Sequence, residues 1–464
     1  MKISPPRPLA RARRAASSLS MAHLAVLTVL VLLLVVLLSS SPALAQPATS
    51  AATDPGWTQW RGPERDGSAP GAPWPDSLAG LEVSWQLEGL GPSYSGPIVA
   101  GDRVFITETV GGDTEVVRAL DRATGKELWR ASWPGKGSVP FFAAANGDWI
   151  RSTPAYDGQT LFVGGMNELF SAFDGATGEL LWRIDFPQRF GTDVPSSGFS
   201  SSPLVDGQHV YVQAANSVVK LAKATGEVVW RSAVADGEMT SDGAFSSPVL
   251  TSLDGQRQLL VQSRSHLQGL DPESGEVLWQ EEVPNFRGMN ILTPTVYRTA
   301  NQPDAVFTSS HRNGSRLYRV RAAEDGWSSE EEWTFKASGN MSSPVILDGH
   351  AYLHLGNGRF TCIDLATGES PWTTTPFGKY WSVAVRGDRL LALDERGELL
   401  LIHPTAKEFR LLDRRQVSEE EAWAHLAVAG DEVFVRSLHG MVAYRWPHGP
   451  STDGTTEPRR GGGI

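Results

Sequence analysis

The chain of 464 residues holds a single cysteine, Cys362. An exported protein with one cysteine forms no internal disulfide, so core packing has to hold its fold. One thiol also excludes a thiolate metal cluster. Basic residues are in deficit: 41 Lys and Arg stand against 52 Asp and Glu, a net charge of −11. Such a surface repels nucleic acid and anionic lipid and favours solubility, so nucleic acid is excluded as a partner. No phosphate loop, nucleophile elbow or zinc motif is present. His350 and His354 share a strand face without a third ligand, so no metal site is expected.

The first 45 residues stand apart. Lys2, Arg7, Arg11, Arg13 and Arg14 precede the apolar run Leu24–Leu38, and "SSSPALA" follows, ending at Ala45. A basic start, an apolar stretch and small residues before the break read as a secretory signal cleaved ahead of Gln46. Its apolar core, about 15 residues, is shorter than the ~20 that span a bilayer. An uncleaved N-terminal anchor is the alternative. Loss of the signal takes the net charge to about −16. The expected location is the periplasm or the extracellular space.

What the chain has in plenty is Gly (47), Pro (30) and Trp (16, against 8 Tyr), which favours many short strands with packed aromatics. The tryptophans are periodic. "LDRATGKELWR" (Leu120–Arg130), "FDGATGELLWR" (Phe173–Arg183), "LAKATGEVVWR" (Leu221–Arg231), "LDPESGEVLWQ" (Leu270–Gln280) and "IDLATGESPWT" (Ile363–Thr373) are copies of one phrase. They align Trp129, Trp182, Trp230, Trp279 and Trp372, and Trp333 fits the gap after a degenerate turn. A second phrase precedes each, as in "SSPLVDGQHVYV" (Ser201–Val212). Each repeat therefore reads as strand A, an Asp-Gly turn, strand B, strand C, the "ATGE" turn, and strand D ending on Trp. Four antiparallel strands at a period of roughly 40–50 residues is the pattern of a β-propeller blade.

Eight blades are expected, making the fold all-β, an eight-bladed β-propeller over residues 81–446. The seventh, Trp381–Leu412, has Phe409 where Trp is expected, and the last, Ala422–Trp446, stops after strand C. The orphan strand Leu81–Gly89, with Trp85, is expected to complete the eighth blade and close the ring. Residues 46–80 form a leader strap, and 447–464 a disordered tail. In each "ATG" turn the Gly supplies a positive φ, and Asp121, Asp174, Asp271 and Asp364 can open it as Asx residues; Ala222 departs from this pattern. Trp85, Trp129, Trp182, Trp230, Trp279, Trp333 and Trp372 are expected to cross to the neighbouring blade as docking residues.

The "D-x-A-T-G-E-x-x-W" repeats with their "SSP" strands resemble the PQQ-like β-propeller repeats of quinoprotein alcohol dehydrogenases and BamB-type outer-membrane assembly proteins. The leader "WTQWRGPERDG" (Trp57–Gly67) is similar to a segment found ahead of such propellers in exported bacterial proteins. The quinoprotein resemblance would imply a quinone beneath a vicinal disulfide, beside calcium and an aspartate base. One cysteine cannot supply that disulfide, so PQQ and calcium are not expected. BamB-type proteins are usually anchored through a cysteine after the signal, which this chain lacks. The expectation is therefore a non-catalytic, exported propeller that acts as an interaction scaffold in the cell envelope, a monomer that binds envelope proteins or peptide segments. An oxidoreductase with an atypical quinone site, or a propeller binding carbohydrate or another small ligand, are the alternatives.

Propellers bind where the loops between blades meet around the channel. The residues three before each Pro or its equivalent are Tyr94, Arg151, Ser200, Phe245, Ile291, Met341, Tyr380 and Trp423, with Trp149, Phe199, Asn290, Asn340, Trp381 and His425 as neighbours. Aromatics around one basic group, Arg151, suit a peptide segment or a flat anionic ligand. The bland alternative is that they seal the channel and pack the leader.

Overall fold

The computed structural model describes residues 56–137, 139–141, 147–235, 242–284 and 286–447. The signal segment, the start of the strap and the tail from 448 onward lie outside them. Strands β1 to β32 assemble into eight four-stranded antiparallel sheets. Blade 1 is β2 (Ile98–Ala100), β3 (Arg103–Val110), β4 (Thr114–Asp121) and β5 (Glu127–Pro134), and blades 2 to 7 follow in chain order. The eighth sheet has the order β1 (Glu82–Glu88), β32 (Gly440–Arg445), β31 (Glu432–Arg436), β30 (Ala427–Ala429), so β1 pairs with β32 and one blade joins the first strand to the last. The ring is thereby closed, and no unpaired innermost or outermost strand is left to template aggregation at the seam.

The repeated turn and its Trp turn out to be two halves of one joint. Gly125, Gly178, Gly226, Gly275 and Gly368 have φ between 69° and 78°. Each also lies under the Trp of the preceding blade: a Cβ on Gly226 would stand 2.6 Å from the Trp182 ring, and one on Gly178 2.6 Å from Trp129. The indole N–H of that same Trp donates to the carbonyl three residues before the Gly. Trp182 reaches Lys223 O at 2.9 Å, Trp129 reaches Gly175 O at 3.0 Å and Trp333 reaches Leu365 O at 3.0 Å. Trp85 closes the circle by reaching Arg122 O at 2.8 Å in blade 1. A β-bulge in strand D aims the ring: where β8 (Leu169–Asp174) pairs with β9 (Leu180–Asp185), the register jumps between Ala172 and Phe173, placing Trp182 opposite Ala172. Where an Asp opens the turn, its side chain accepts from the backbone of the Thr or Ser three residues on, at 2.8 Å for Asp174 and Thr177.

Trp279 departs from the expected docking pattern. Its N–H donates to Gln258 Oε1 in its own blade at 2.7 Å, although its buried ring packs with Val306 and Tyr318 of blade 5. The reason lies in blade 5, whose β20 (Gly314–Ala323) and β21 (Gly326–Phe335) run on as a long hairpin without the "ATG" turn. With no turn carbonyl to receive it, the indole bonds inward.

The second repeated phrase also has a physical role. In four blades the backbone N–H just before the Pro donates to a hydroxyl of the next blade: Gly96 to Thr153 at 2.9 Å, Thr153 to Ser202 at 3.0 Å, Ser202 to Ser247 at 2.9 Å, and Thr293 to Ser343 at 3.0 Å. Short polar side chains thus stitch the innermost strands around the channel, where a larger residue would fill it.

The candidate ligand cavity

The leader crosses the channel at the strand-A ends. Trp57 pairs with Val99 of blade 1, Thr58 O accepts from Tyr156 of blade 2, Gln59 Oε1 accepts from Val205 of blade 3, and Gly67 O accepts from Val385 of blade 7. Two buried arginines point into the channel. Arg65 donates to Pro203 O at 2.6 Å and Ser202 O at 2.9 Å, and Arg61 to Asp66 O at 2.8 Å and to Pro344 O. Burial lowers their pKa to about 9 for Arg65 and about 10 for Arg61, which leaves both charged at neutral pH. The Trp60 ring lies over both guanidinium groups, 5.6 Å from Arg61 and 6.0 Å from Arg65.

Trp60 also faces a cavity of about 720 Å³. All eight residues aligned three before the Pro line it: Tyr94, Arg151, Ser200, Phe245, Ile291, Met341, Tyr380 and Trp423. So do His425, and Arg264, Phe286, Arg287, Met289 and His311. One wall is aromatic. Tyr380 stacks on Trp423 with centroids 5.6 Å apart and planes at 9°, and Tyr94 meets Trp423 at 5.6 Å. Opposite charges within the wall are sparse. Arg264 pairs with Asp242 at 2.5 Å, while Arg151 uses Nη2 and Nε on the carbonyls of Gly147 and Trp149 at 2.7 and 3.4 Å. Burial lowers the pKa of Arg151, with Tyr94 and Asp148 acting the other way. His425 is enclosed between Trp57 and Trp60, with its Nδ1–H donating to Leu426 O at 2.8 Å; burial drives its pKa down to about 3, so it stays neutral.

Five of the expected neighbours stand elsewhere. Trp381 is buried with its N–H on Asp394 at 3.0 Å and its ring against His354 and Phe360. Phe199 sits in the core shared by blades 2 and 3. Asn290 is buried and donates to Arg264 O and Val283 O. Trp149 meets Tyr94 edge-on at 5.5 Å, outside the lining. Asn340 also lies outside it. Sequence reasoning missed Trp60, Arg264, Phe286, Arg287, Met289 and His311. The leader's Trp–Arg dipeptide was the available signal for Trp60; the other five come from loops of blades 4 and 5, whose insertions blur the repeat.

Around the same face two buried glutamates bridge neighbouring blades. Glu115 of blade 1 accepts from Met166 N of blade 2 at 2.6 Å and from Trp133 at 2.6 Å. Glu168 of blade 2 accepts from Ala215 N of blade 3 at 3.0 Å. Burial raises them to about 7 and about 8, against the pull of those donors.

Together these features define a class: an eight-bladed propeller of tryptophan-docked repeats, plugged by its own leader and opening a cavity on the loop face. The family model described as outer membrane protein assembly factor BamB matches residues 112–374, and the chain belongs to that family. It is 27% identical over 263 residues to the outer membrane protein assembly factor BamB of Yersinia pestis, a match covering 54% of this chain and 62% of that protein. The chain thus spans about three fifths of that relative's length. The BamB of Shewanella oneidensis is 20% identical over 384 residues, covering 78% of this chain and 88% of its own. Among solved structures, BamB from Moraxella catarrhalis superposes with a TM-score of 0.56 at 14% identity, over 80% of this chain and 99% of its own. A quinohemoprotein alcohol dehydrogenase of Comamonas testosteroni gives 0.61 at 13% identity, over 87% and 83%. At these identities the structural likeness speaks for the fold.

Proposed function

We propose that this protein is a non-catalytic, exported propeller that serves as an interaction scaffold in the cell envelope, in a role related to outer-membrane protein assembly. The observation that carries the reading is the family match over residues 112–374, joined to a cavity built from the least repetitive segments of the ring. Fold alone would leave function open, since propellers host many activities. The rival oxidoreductase reading rests on the fold shared with the alcohol dehydrogenases. Calcium needs carboxylate and other oxygen donors, and the quinoproteins that the repeats resemble hold their quinone beneath a cysteine pair. Cys362 is the sole cysteine and is buried in the strand Phe360–Asp364, and none of the described cavity-lining residues is an Asp or Glu. The donor set does not fit that group.

The test is site-specific photo-crosslinking in cells, with the probe placed at Tyr380 or Phe245 and, as a control, at Glu330 on the outer strand of blade 5. Crosslinks from the cavity positions to an outer-membrane assembly protein, absent from the control, support the scaffold. Equal yields at all three positions overturn it. Adding PQQ and calcium to the purified chain and following dye-linked alcohol oxidation tests the rival, which turnover would establish.

A further inference from the structure

The cavity has an unusual charge arrangement for so acidic a protein. The chain carries a net charge of −11, yet three arginines, Arg151, Arg264 and Arg287, line the cavity with no Asp or Glu among its described lining residues. Two more cations, Arg61 and Arg65, are buried directly behind its Trp60 floor. Of the nearby acidic groups, Asp242 is committed to Arg264 and Asp66 to the leader, where its side chain accepts from Ser68 N at 2.7 Å, while Asp148 acts on Arg151 from outside the lining. Cations walled by low-dielectric aromatic surface focus a positive potential into the space between them.

Arg151 is the group left with capacity. Its Nε and Nη2 hold the carbonyls of Trp149 and Gly147, which fixes the guanidinium plane. Nη1 has no hydrogen-bond or ion-pair partner among the described residues, and the side chain is half-buried in the cavity wall. A pre-oriented guanidinium with one end uncommitted suits a carboxylate, which can accept from Nη1 and from the second Nη2 hydrogen together. The parallel Tyr380–Trp423 pair, with Tyr94 leaning on Trp423, forms an extended apolar wall. Neutral His425 and the hydroxyls of Thr153, Ser200, Ser202 and Ser247 add polar groups suited to an amide.

We infer that the cavity is a recognition site for an organic carboxylate attached to a ring or chain of apolar character, with Arg151 as the anchor for the carboxylate. Such a group comes from a free small acid or from the C-terminal end of a peptide. The inference deepens the scaffold reading, because it names the chemical feature a partner presents at this face.

The experiment titrates the purified chain with N-acetyl-L-phenylalanine and with its amide, and with one apolar tripeptide carrying a free or an amidated C-terminus. Isothermal calorimetry is the readout, with tryptophan fluorescence in parallel. The acids should bind at least about tenfold more tightly than their amides, as a lost charge-assisted bond implies. R151Q should abolish that preference, and R298Q, on the leader side of the ring, should retain it. Tighter binding of the tripeptide acid than of the acetyl amino acid identifies a chain end as the source, and the reverse a free acid. Equal binding of acid and amide to the wild-type chain, or no saturable binding below about 10 mM, overturns the inference without involving any variant. An R151Q protein that binds no acid yet still crosslinks to the envelope partner would sink the link to the scaffold and leave the scaffold standing.

Discussion

Gly226→Ala probes the joint between blades 2 and 3 most directly. Two separable costs are expected. Gly226 has a φ of 73°, and an L-residue there costs about 1–2 kcal/mol. The new Cβ would also stand 2.6 Å from the Trp182 ring, and forcing such an overlap costs roughly 1–3 kcal/mol more. The sum is about 2–5 kcal/mol. Two controls separate the parts. Gly207→Ala sits at a φ of 53° with open space around the Cβ, so it should show the backbone cost alone. In a Trp182→Ala background, already weakened by about 3–5 kcal/mol, Gly226→Ala should lose the overlap and cost only about 1–2 kcal/mol more. Equilibrium urea unfolding, followed by circular dichroism, gives all four values. If Gly226→Ala costs the same with and without Trp182, the ring does not occupy that space and the joint as described is wrong.

Stability should also depend on pH through the two glutamates. Glu115 and Glu168 have folded pKa values raised to about 7 and about 8 by burial, so the folded state holds their protons over a range where the unfolded chain releases them. Their favourable contribution is complete below about pH 4.5 and is lost as pH rises through 7 to 8, at most about 3 kcal/mol for Glu115. Thermal unfolding between pH 5 and 9 should show the decline, and Glu168→Gln should flatten it; an unchanged slope in that variant contradicts the assignment. Arg65→Ala should cost about 2–4 kcal/mol, because it leaves the carbonyls of Pro203 and Ser202 unpaired inside the channel, and should speed proteolysis within residues 57–69. A cleavage rate matching the wild type would show that the leader is held by other contacts. Deleting residues 81–89 removes β1 and exposes β32; size-exclusion chromatography should show oligomers, and a stable monomer would mean the closing strand is dispensable.

The repeat was legible in the sequence because each copy obeys the same local chemistry: a glycine that must turn left, a tryptophan four residues on, and a hydroxyl before a proline. Strand order, blade number and ring closure followed from counting copies. The cavity positions followed too, since three residues before the Pro is a fixed place in every blade. What failed was the step to their neighbours. Tyr380 faces the cavity and Trp381 turns into the core; Ser200 and Phe199, Ile291 and Asn290, and Met341 and Asn340 divide in the same way. Successive side chains of an extended segment point to opposite sides, so adjacency in sequence argues against shared lining. Trp423 and His425, two apart, both reach the cavity. The leader's arginines carried no periodic signal, because the segment occurs once and its partners are backbone carbonyls. Trp279 misled because its copy is intact while its partner turn is missing.

The Trp–Gly joint has a consequence for how such a ring can change. Each copy of the phrase holds half of two different contacts: its glycine receives the blade before it, and its tryptophan reaches the blade after it. Stability is therefore written in the copied residues, in a form that couples neighbours. The positions three before each Pro or its equivalent take part in none of these joints. A lineage could rewrite them, and with them what the cavity accepts, while the joints and the hydroxyl stitches beside the Pro keep the blades together.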